Sequence, residues 1–299
     1  MRFRFSVLLL LVFVLSEASA APIDVPINKI RATNSPYMLD LMKLALSYSD
    51  RQYKFVETSE RLSKAAQHEA ALHGNIAVYW GGTSPDQEEE FIPVRIDGYR
   101  GLMSLRFMIV RASDIGRYRS VNNINDLRNF RMGQGRGWKD GKILESAGFD
   151  VEVATKKAGL FHMLDGGRFD AFPRGATEAW VETDANRDLN LAVEEHLVIR
   201  YLLPTYFFVN KGRKQFANDI EAGLLMAIED GSFDRFFYGS DRVQRFLDQA
   251  NLAQRKIIDL NNPFLSKAAI ESAKFNFSVE DLIEGARRIK AGEFDVSSL

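Results

Sequence analysis

The sequence predicts an α/β fold made of two hinged lobes. Three observations predict it. Short apolar runs such as Phe107-Met108-Ile109-Val110 alternate with helical patterns of about ten residues. The alternation occurs in two stretches of the chain, and no low-complexity linker separates them. Strands alternating with such helices signal a largely parallel sheet covered by helices, and two such units without a tether imply a chain that passes between lobes more than once.

The first twenty residues stand apart. Arg2 and Arg4 precede the apolar run Val7 to Leu15, which is followed by Ala18-Ser19-Ala20, the layout of a secretory signal peptide cleaved after Ala20. Nine apolar residues at about 1.5 Å rise cover under half of a roughly 30 Å hydrocarbon core, so this run is too short to span a bilayer. No later run is apolar for long enough either.

A first strand is expected over Ile27 to Asn34, followed by Ser35-Pro36 as N-cap and first helical residue. Met38, Leu41, Met42 and Ala45 then recur at helical spacing. A second helix is expected from Ser59 to His73, with Leu62, Ala65 and Ala66 inward and Gly74 stopping it. Ile76 to Trp80 reads as a buried strand, and Gly81 to Glu90 as a loop at its end. Leu105 to Val110 is a strand and Ile124 to Leu127 a weak helix. A tighter alternation follows: Arg131-Met132 leads into Gly133-Gln134-Gly135-Arg136-Gly137, then a helix Trp138 to Ser146, a strand Val151 to Ala154, a helix Ala158 to Leu164, a strand Phe169 to Phe172, and a helix Ala176 to Thr183. Strands at Leu189 to Val193, Leu197 to Tyr201 and Thr205 to Asn210 precede a stripe of Phe216, Ile220, Leu224, Ala227 and Ile228, and the remainder reads as helical.

Composition removes several function classes. The chain has 39 basic and 40 acidic side chains; without its leader 37 and 39 remain, so no nucleic-acid partner is implied. Zero cysteines exclude a thiol nucleophile, a thiolate metal site and a lipid-modified cysteine. A chain of this size buries its own cores without disulfides.

No cofactor or metal motif is present. The glycine cluster at 133–137 opens a helix, a place that suits an anion, but the dinucleotide fingerprint fails because Trp138 stands where its third glycine belongs. The cluster is therefore either an anion-binding turn or a plain strand-to-helix turn. His68 and His73 are five residues apart, about 140° around a helix, and do not form the zinc-protease pair. His162 and His196 are isolated, and Glu88-Glu89-Glu90 reads as a solvated loop run. Trp80, Tyr99 and Trp138 are either flat walls for a small organic solute or core. Arg174, between Pro173 and Gly175 at the carboxyl end of a strand, is either a carboxylate fork or half of a structural salt bridge. Glu178 follows one turn into the next helix.

Trp80-Gly81-Gly82-Thr83, Gly133 to Trp138, Asp165-Gly166-Gly167-Arg168-Phe169-Asp170-Ala171 and Asp230-Gly231-Ser232-Phe233-Asp234 fall in the order and spacing of bacterial periplasmic (extracellular) solute-binding proteins. The chain resembles the polar amino-acid-binding branch of these proteins, which serve ATP-binding-cassette transporters, over Ile27 to Phe246. The resemblance implies a type II fold with two hinge crossings, near Ile109 to Ala112 and Tyr201 to Tyr206. Residues 21–110 and 204–299 would form the first lobe and 111–203 the second. It implies a cleft lined by the Trp80 to Thr83 loop, the Gly135 to Trp138 turn and the segment after Asp170, which makes Trp80, Thr83, Gly135, Arg136, Trp138, Arg174 and Glu178 site candidates beside Tyr99, with Arg95 and Arg100 as candidate partners for a ligand carboxylate. The expected product is a monomeric periplasmic protein, with no catalytic residue and no cofactor. It would capture an amino acid or related carboxylate or amine by hinge closure and present it to a membrane permease or sensory receptor. An adaptor with a degenerate cleft, and a secreted hydrolase using Glu178 or Asp170, are the alternatives.

Overall fold

A computed structural model of the chain describes residues 21–30 and 37–294. The expected leader, residues 31–34 of the expected first strand and the Ser35-Pro36 helix start lie outside the described residues. The first strand, β1 (Ile23–Ile27), comes earlier than expected, because Val25 and Ile27 alternate inward on a period of two. It pairs in parallel with β2 (Tyr53–Glu57), a strand with a mostly exposed face that sequence patterning did not reveal.

Helix α1 (Tyr37–Leu46) buries Met38, Leu41, Met42 and Ala45 as its spacing predicts. It lies against α8 (Lys214–Glu229), where Gly223 permits close approach: a Cβ there would sit 1.8 Å from the Ala45 carbonyl oxygen. Helix α2 (Lys64–Leu72) is shorter than expected. The Leu62 N–H is taken by Asn28 Oδ1 at 2.8 Å and Ser63 caps the helix through the Ala66 N–H, so the turn begins only at Lys64. Its buried residue is Ala71, while Ala65 faces solvent.

Strand β3 (Val78–Gly82) joins β11 (Thr205–Val209) and β4 (Ile92–Val94) in an antiparallel three-stranded sheet in the order β3-β11-β4. Between β3 and β4, where a loop was expected, Pro85–Glu90 forms α3. Pro85 supplies the preset first-turn φ, and Asp86 and Glu88 sit at the positive end of the helix.

The second lobe is built on a seven-stranded sheet. Its order is β12 (Lys256–Asp259), β10 (Leu197–Arg200), β5 (Leu105–Arg111), β8 (Ala171–Gly175), β6 (Met132–Gly135) and β7 (Val151–Ala154), with β9 (Leu191–Val193) also on β5. The sheet is mixed rather than largely parallel, because β5 runs antiparallel to β8, β9 and β10. Helices α4 (Ile124–Leu127), α5 (Lys139–Ser146), α6 (Lys157–Asp165) and α7 (Ala179–Asp184) connect its strands.

The chain passes between the sheets earlier than expected. Ile109 to Val110 lie inside β5, fully engaged with β8 and β9, so the first passage occupies residues 95–104 instead. The second occupies 201–204, between β10 and β11. Asp97 binds the two passages together: its carboxylate accepts the N–H groups of Tyr99 (3.0 Å), Gly101 (3.0 Å) and Thr205 (3.2 Å). Ser104 adds Oγ to the Leu203 N–H at 3.2 Å and its carbonyl to the Tyr201 N–H at 3.1 Å.

Part of the C-terminal segment joins the large sheet, while Ala269 of its later portion packs with Ala71 and Tyr79 of the first lobe. After α9 (Ser232–Gly239) and α10 (Asp241–Ala250), β12 adds in parallel to β10 of the large sheet. Phe246 of α10 packs on Phe107 (5.3 Å) and Trp180 (5.9 Å), and burying such a ring contributes about 2–3 kcal/mol. Arg255 lies over Phe107 at 5.1 Å and donates to the carbonyls of Ala250, Glu194 and Leu197. Helices α11 (Lys267–Ser272) and α12 (Val279–Lys290), the latter opened by a Ser278–Asp281 capping box, complete the described chain.

Candidate functional site

A cleft of about 570 Å³ opens between the two sheets, within the usual range of small-molecule sites. The first lobe lines it with the ends of β3 and the start of α2, the second with the turn into α5 and the strand-to-helix junction after β8. Carboxyl ends of strands and amino ends of helices thus face it from both sides, which is where α/β sheets place ligands.

Five of the sequence-predicted residues meet in this cleft: Trp80, Tyr99, Trp138, Arg174 and Glu178. Trp80 stands edge-on to Phe207, and Tyr99 stacks on Tyr37 at 4.6 Å. Trp138 carries the Arg174 guanidinium over its ring at 4.7 Å. Gly135 lies behind this ring rather than in the cleft. A Cβ there would fall 2.2 Å from the indole, so glycine is what lets Trp138 lie flat against β6.

Arg174 is a salt-bridge residue more than a fork awaiting a ligand. Its Nε and Nη2 reach Glu182 at 2.5 and 2.9 Å, and Nη2 is 3.1 Å from Glu178 Oε2. Lys157 completes the group at 2.7 Å from Glu182. Burial pushes the Glu182 carboxyl up, but Arg174 and Lys157 more than offset it and hold it below the ordinary range. Glu178 in turn accepts the Gly175 N–H at 3.1 Å.

Four predicted residues lie elsewhere. Thr83 and Arg95 meet on Glu88: Thr83 Oγ1 donates to Oε1 at 2.7 Å, and Arg95 Nε and Nη2 donate to Oε2 at 3.1 and 3.0 Å, joined by Ser266 Oγ at 2.8 Å. Glu88 is thus a buried hub rather than part of a solvated run. Arg100, at φ +48°, reaches the Phe275 carbonyl and Asp234 and lies 4.1 Å over Phe277, pinning the C-terminal segment to the hinge. Arg136 is exposed outside the cleft. Among the described residues no cluster of histidines and carboxylates is placed to hold a metal ion; His68 pairs with Glu90 at 3.1 Å and His73 lies 3.8 Å from Glu69.

Other cleft residues escaped the sequence reading. Buried Arg106 binds Asp140 at 2.7 Å and the Met103 carbonyl, and Tyr201 donates to the same Asp140 oxygen at 2.5 Å. Burial pushes the Asp140 carboxyl up, but Arg106 and the Tyr201 hydroxyl prevail and hold it low. Lys139, first residue of α5, reaches across the cleft and donates to the Gly82 carbonyl and Gln87 Oε1 of the first lobe. Burial, aided by nearby Lys64, pushes its ammonium down to about 8. The signal for Lys139 was its place after Trp138 at a helix start; nothing local marked Arg106.

No protein-family model matches the chain, and no curated protein sequence matches it. Solved structures do match its fold. A probable amino-acid ABC transporter extracellular-binding protein, ytmK from Bacillus subtilis, superposes with a TM-score of 0.55 at 14% identity, covering 72% of this chain and 96% of that one. An ancestral arginine-binding protein bound to arginine gives 0.51 at 16% identity over 72% and 96%. The GluR0 ligand-binding core in complex with L-glutamate gives 0.51 at 16% over 73% and 97%. The chain therefore has the two-lobed fold of type II periplasmic binding proteins, and these neighbours are described as binding proteins rather than enzymes. Among the described residues no helix is long and apolar enough to cross a membrane.

Proposed function

We propose that the protein is a periplasmic solute-binding protein that captures a small polar solute between its lobes by hinge closure, for a membrane permease or a sensory receptor. The observation that carries this reading is the cleft itself, lined from both sheets and bridged by Lys139 from the second lobe to Gly82 and Gln87 of the first. A ligand touching both walls favours the closed arrangement by its differential affinity for it. An amino acid or a related carboxylate or amine is the solute class, and the mature protein acts as a monomer and makes or breaks no bond. Both carboxylates on which a hydrolase reading depends are engaged: Glu178 with Gly175 and Arg174, and Asp170 with Arg111, Arg117 and the Arg131 N–H.

The test is a thermal-shift screen of the mature chain, residues 21–299, against amino acids, small carboxylates and amines, followed by small-angle scattering with each hit. A native-state ligand at a hundred times its Kd stabilises by about 2.7 kcal/mol, and the radius of gyration should fall on binding. No stabilising solute and no compaction would favour the adaptor. Turnover of a bound compound that Glu178→Gln abolishes would favour the hydrolase.

A further inference from the structure

The charge of the cleft is lopsided. Among the described residues, seven lysines and arginines line it against two carboxylates, and both carboxylates are already engaged. Asp140 holds Arg106 and Tyr201, and Glu178 holds Arg174 and the Gly175 N–H. Among the described residues no cleft carboxylate is left over to receive the ammonium of an amine. Arg61, Lys64 and Arg242, by contrast, make no ion pair among the described residues, and Arg61 and Lys64 are exposed.

Two of the cations stand on opposite walls of the cleft. Lys64 is the first residue of α2 and Lys139 the first of α5, and both line the cleft. Lys64 is near enough to help push the Lys139 ammonium down. Two like charges approaching across a closing cleft repel unless something negative sits between them. The amino ends of their helices add positive potential in the same place.

Resting on the solute-binding reading, we propose that the cleft takes a net-negative small organic solute whose oxyanion groups bridge Lys64 of the first lobe and Lys139 of the second, while Trp80 and Trp138 flank its body. Carboxylate and phosphoryl oxygens share the chemistry that these ammonium groups recognise. An anion seated there offsets the repulsion between the two lysines and so strengthens the bridge that Lys139 already makes to Gly82 and Gln87 of the first lobe.

The experiment is calorimetric titration of the mature chain, stripped of co-purified solute by unfolding and refolding. The probes are succinate, L-glutamate and glycerol 3-phosphate on one side and L-arginine, L-lysine and L-leucine on the other. At least one of the three anions should bind saturably, and whether succinate or glycerol 3-phosphate binds tighter separates the carboxylate from the phosphoryl source. Lys64→Met and Lys139→Met should each weaken that binding tenfold or more, Lys64→Arg should restore most of it, and urea unfolding should show all three variants folded. Binding of L-arginine, L-lysine or L-leucine in place of the anions would overturn this inference and leave the solute-binding reading standing. So would an anion affinity unchanged in both methionine variants. No binding by any of the six, with no compaction in scattering, would overturn both.

Discussion

The two walls of the cleft carry the same residue types in opposite states. On the second-lobe wall, Arg106 and Arg174 are buried and held by Asp140, Glu182 and Glu178 of their own lobe. On the first-lobe wall, Arg61 and Lys64 are exposed and make no ion pair among the described residues. A buried, fully partnered arginine is part of the architecture, since its charge is already answered. An exposed, unpartnered lysine at the same cleft answers to whatever enters. The second wall is thus a preset surface that fixes the position of Trp138, and the first wall supplies free charge. Lys139 belongs to the rigid wall by sequence and reaches across to the other.

Removing the partner of a buried cation should break the rigid wall outright. Asp140→Ala leaves Arg106 buried without its carboxylate and takes the acceptor from Tyr201, at about 3–5 kcal/mol. Urea unfolding at pH 7 would read this as a large drop in midpoint. The equivalent change on the first wall, Lys64→Met, removes an exposed charge and should alter stability by under about 0.5 kcal/mol. Equal losses from the two variants would erase the distinction between the walls.

The hinge that sets one wall against the other is expected to show the next largest effect. Burial pushes the Asp97 carboxyl from 3.8 up to about 6, against the pull of three backbone N–H groups. The folded protein therefore binds this proton more tightly than the unfolded chain. The contribution is fully present below about pH 4 and is lost as the pH rises through about 6. Asp97→Ala should flatten that part of the stability profile and cost about 1–3 kcal/mol at pH 5, because buried N–H groups lose their acceptor. Urea midpoints measured from pH 4 to pH 7 check both statements, and a slope unchanged by the substitution would place the responsible group elsewhere.

What the sequence made legible divides along similar lines. The strand Leu105–Arg111 and the α8 stripe were readable because burial there is encoded locally. β12 was not: Lys256–Asp259 is half polar, and its place depends on pairing with β10, some sixty residues away. α3 carried a usable signal, proline and acids in the first turn, that its polar composition masked. In the site, the aromatic residues and Arg174 were legible because strand ends and glycine turns mark the cleft side of an α/β sheet. Thr83 and Arg95 were misplaced because Glu88, five and seven residues away, claims both. Lys64 and Arg242 look like any surface cation until the fold brings α2 and α10 to one opening.

Gly135 tests how far the rigid wall depends on the position of one ring. An alanine Cβ would meet the Trp138 indole at 2.2 Å, and relieving such overpacking costs about 1–3 kcal/mol. The displaced ring would also leave the Arg174 guanidinium, so affinity for the cleft solute should fall about tenfold, equivalent to about 1.4 kcal/mol. Tryptophan fluorescence and calorimetric titration of Gly135→Ala report the two effects separately. Normal affinity with a shifted emission would show that the wall tolerates a moved ring.

The smallest effect should come from the proton on Lys139. Burial and then Lys64 push its ammonium down to about 8, while Asp140, Asp86 and Glu88 pull the other way. An anion seated between Lys64 and Lys139 favours the charged form, so the bound protein holds this proton more tightly than the free one. Affinity is then at its full value well below pH 8 and declines as the pH rises through it. Between pH 7 and pH 8 the loss amounts to about twofold, set by the fraction of free protein that has already lost the proton. The neutral amine still has hydrogens for the Gly82 carbonyl and Gln87, so the bridge between the lobes persists while its attraction for an anion goes. Lys139→Met should bind more weakly and show no such decline, whereas Lys64→Met should keep a decline with its midpoint moved upward, since the neighbouring charge that depresses Lys139 is gone. Dissociation constants measured at half-unit steps from pH 6.5 to pH 8.5 separate these curves; a decline that survives in Lys139→Met would assign the proton to another group.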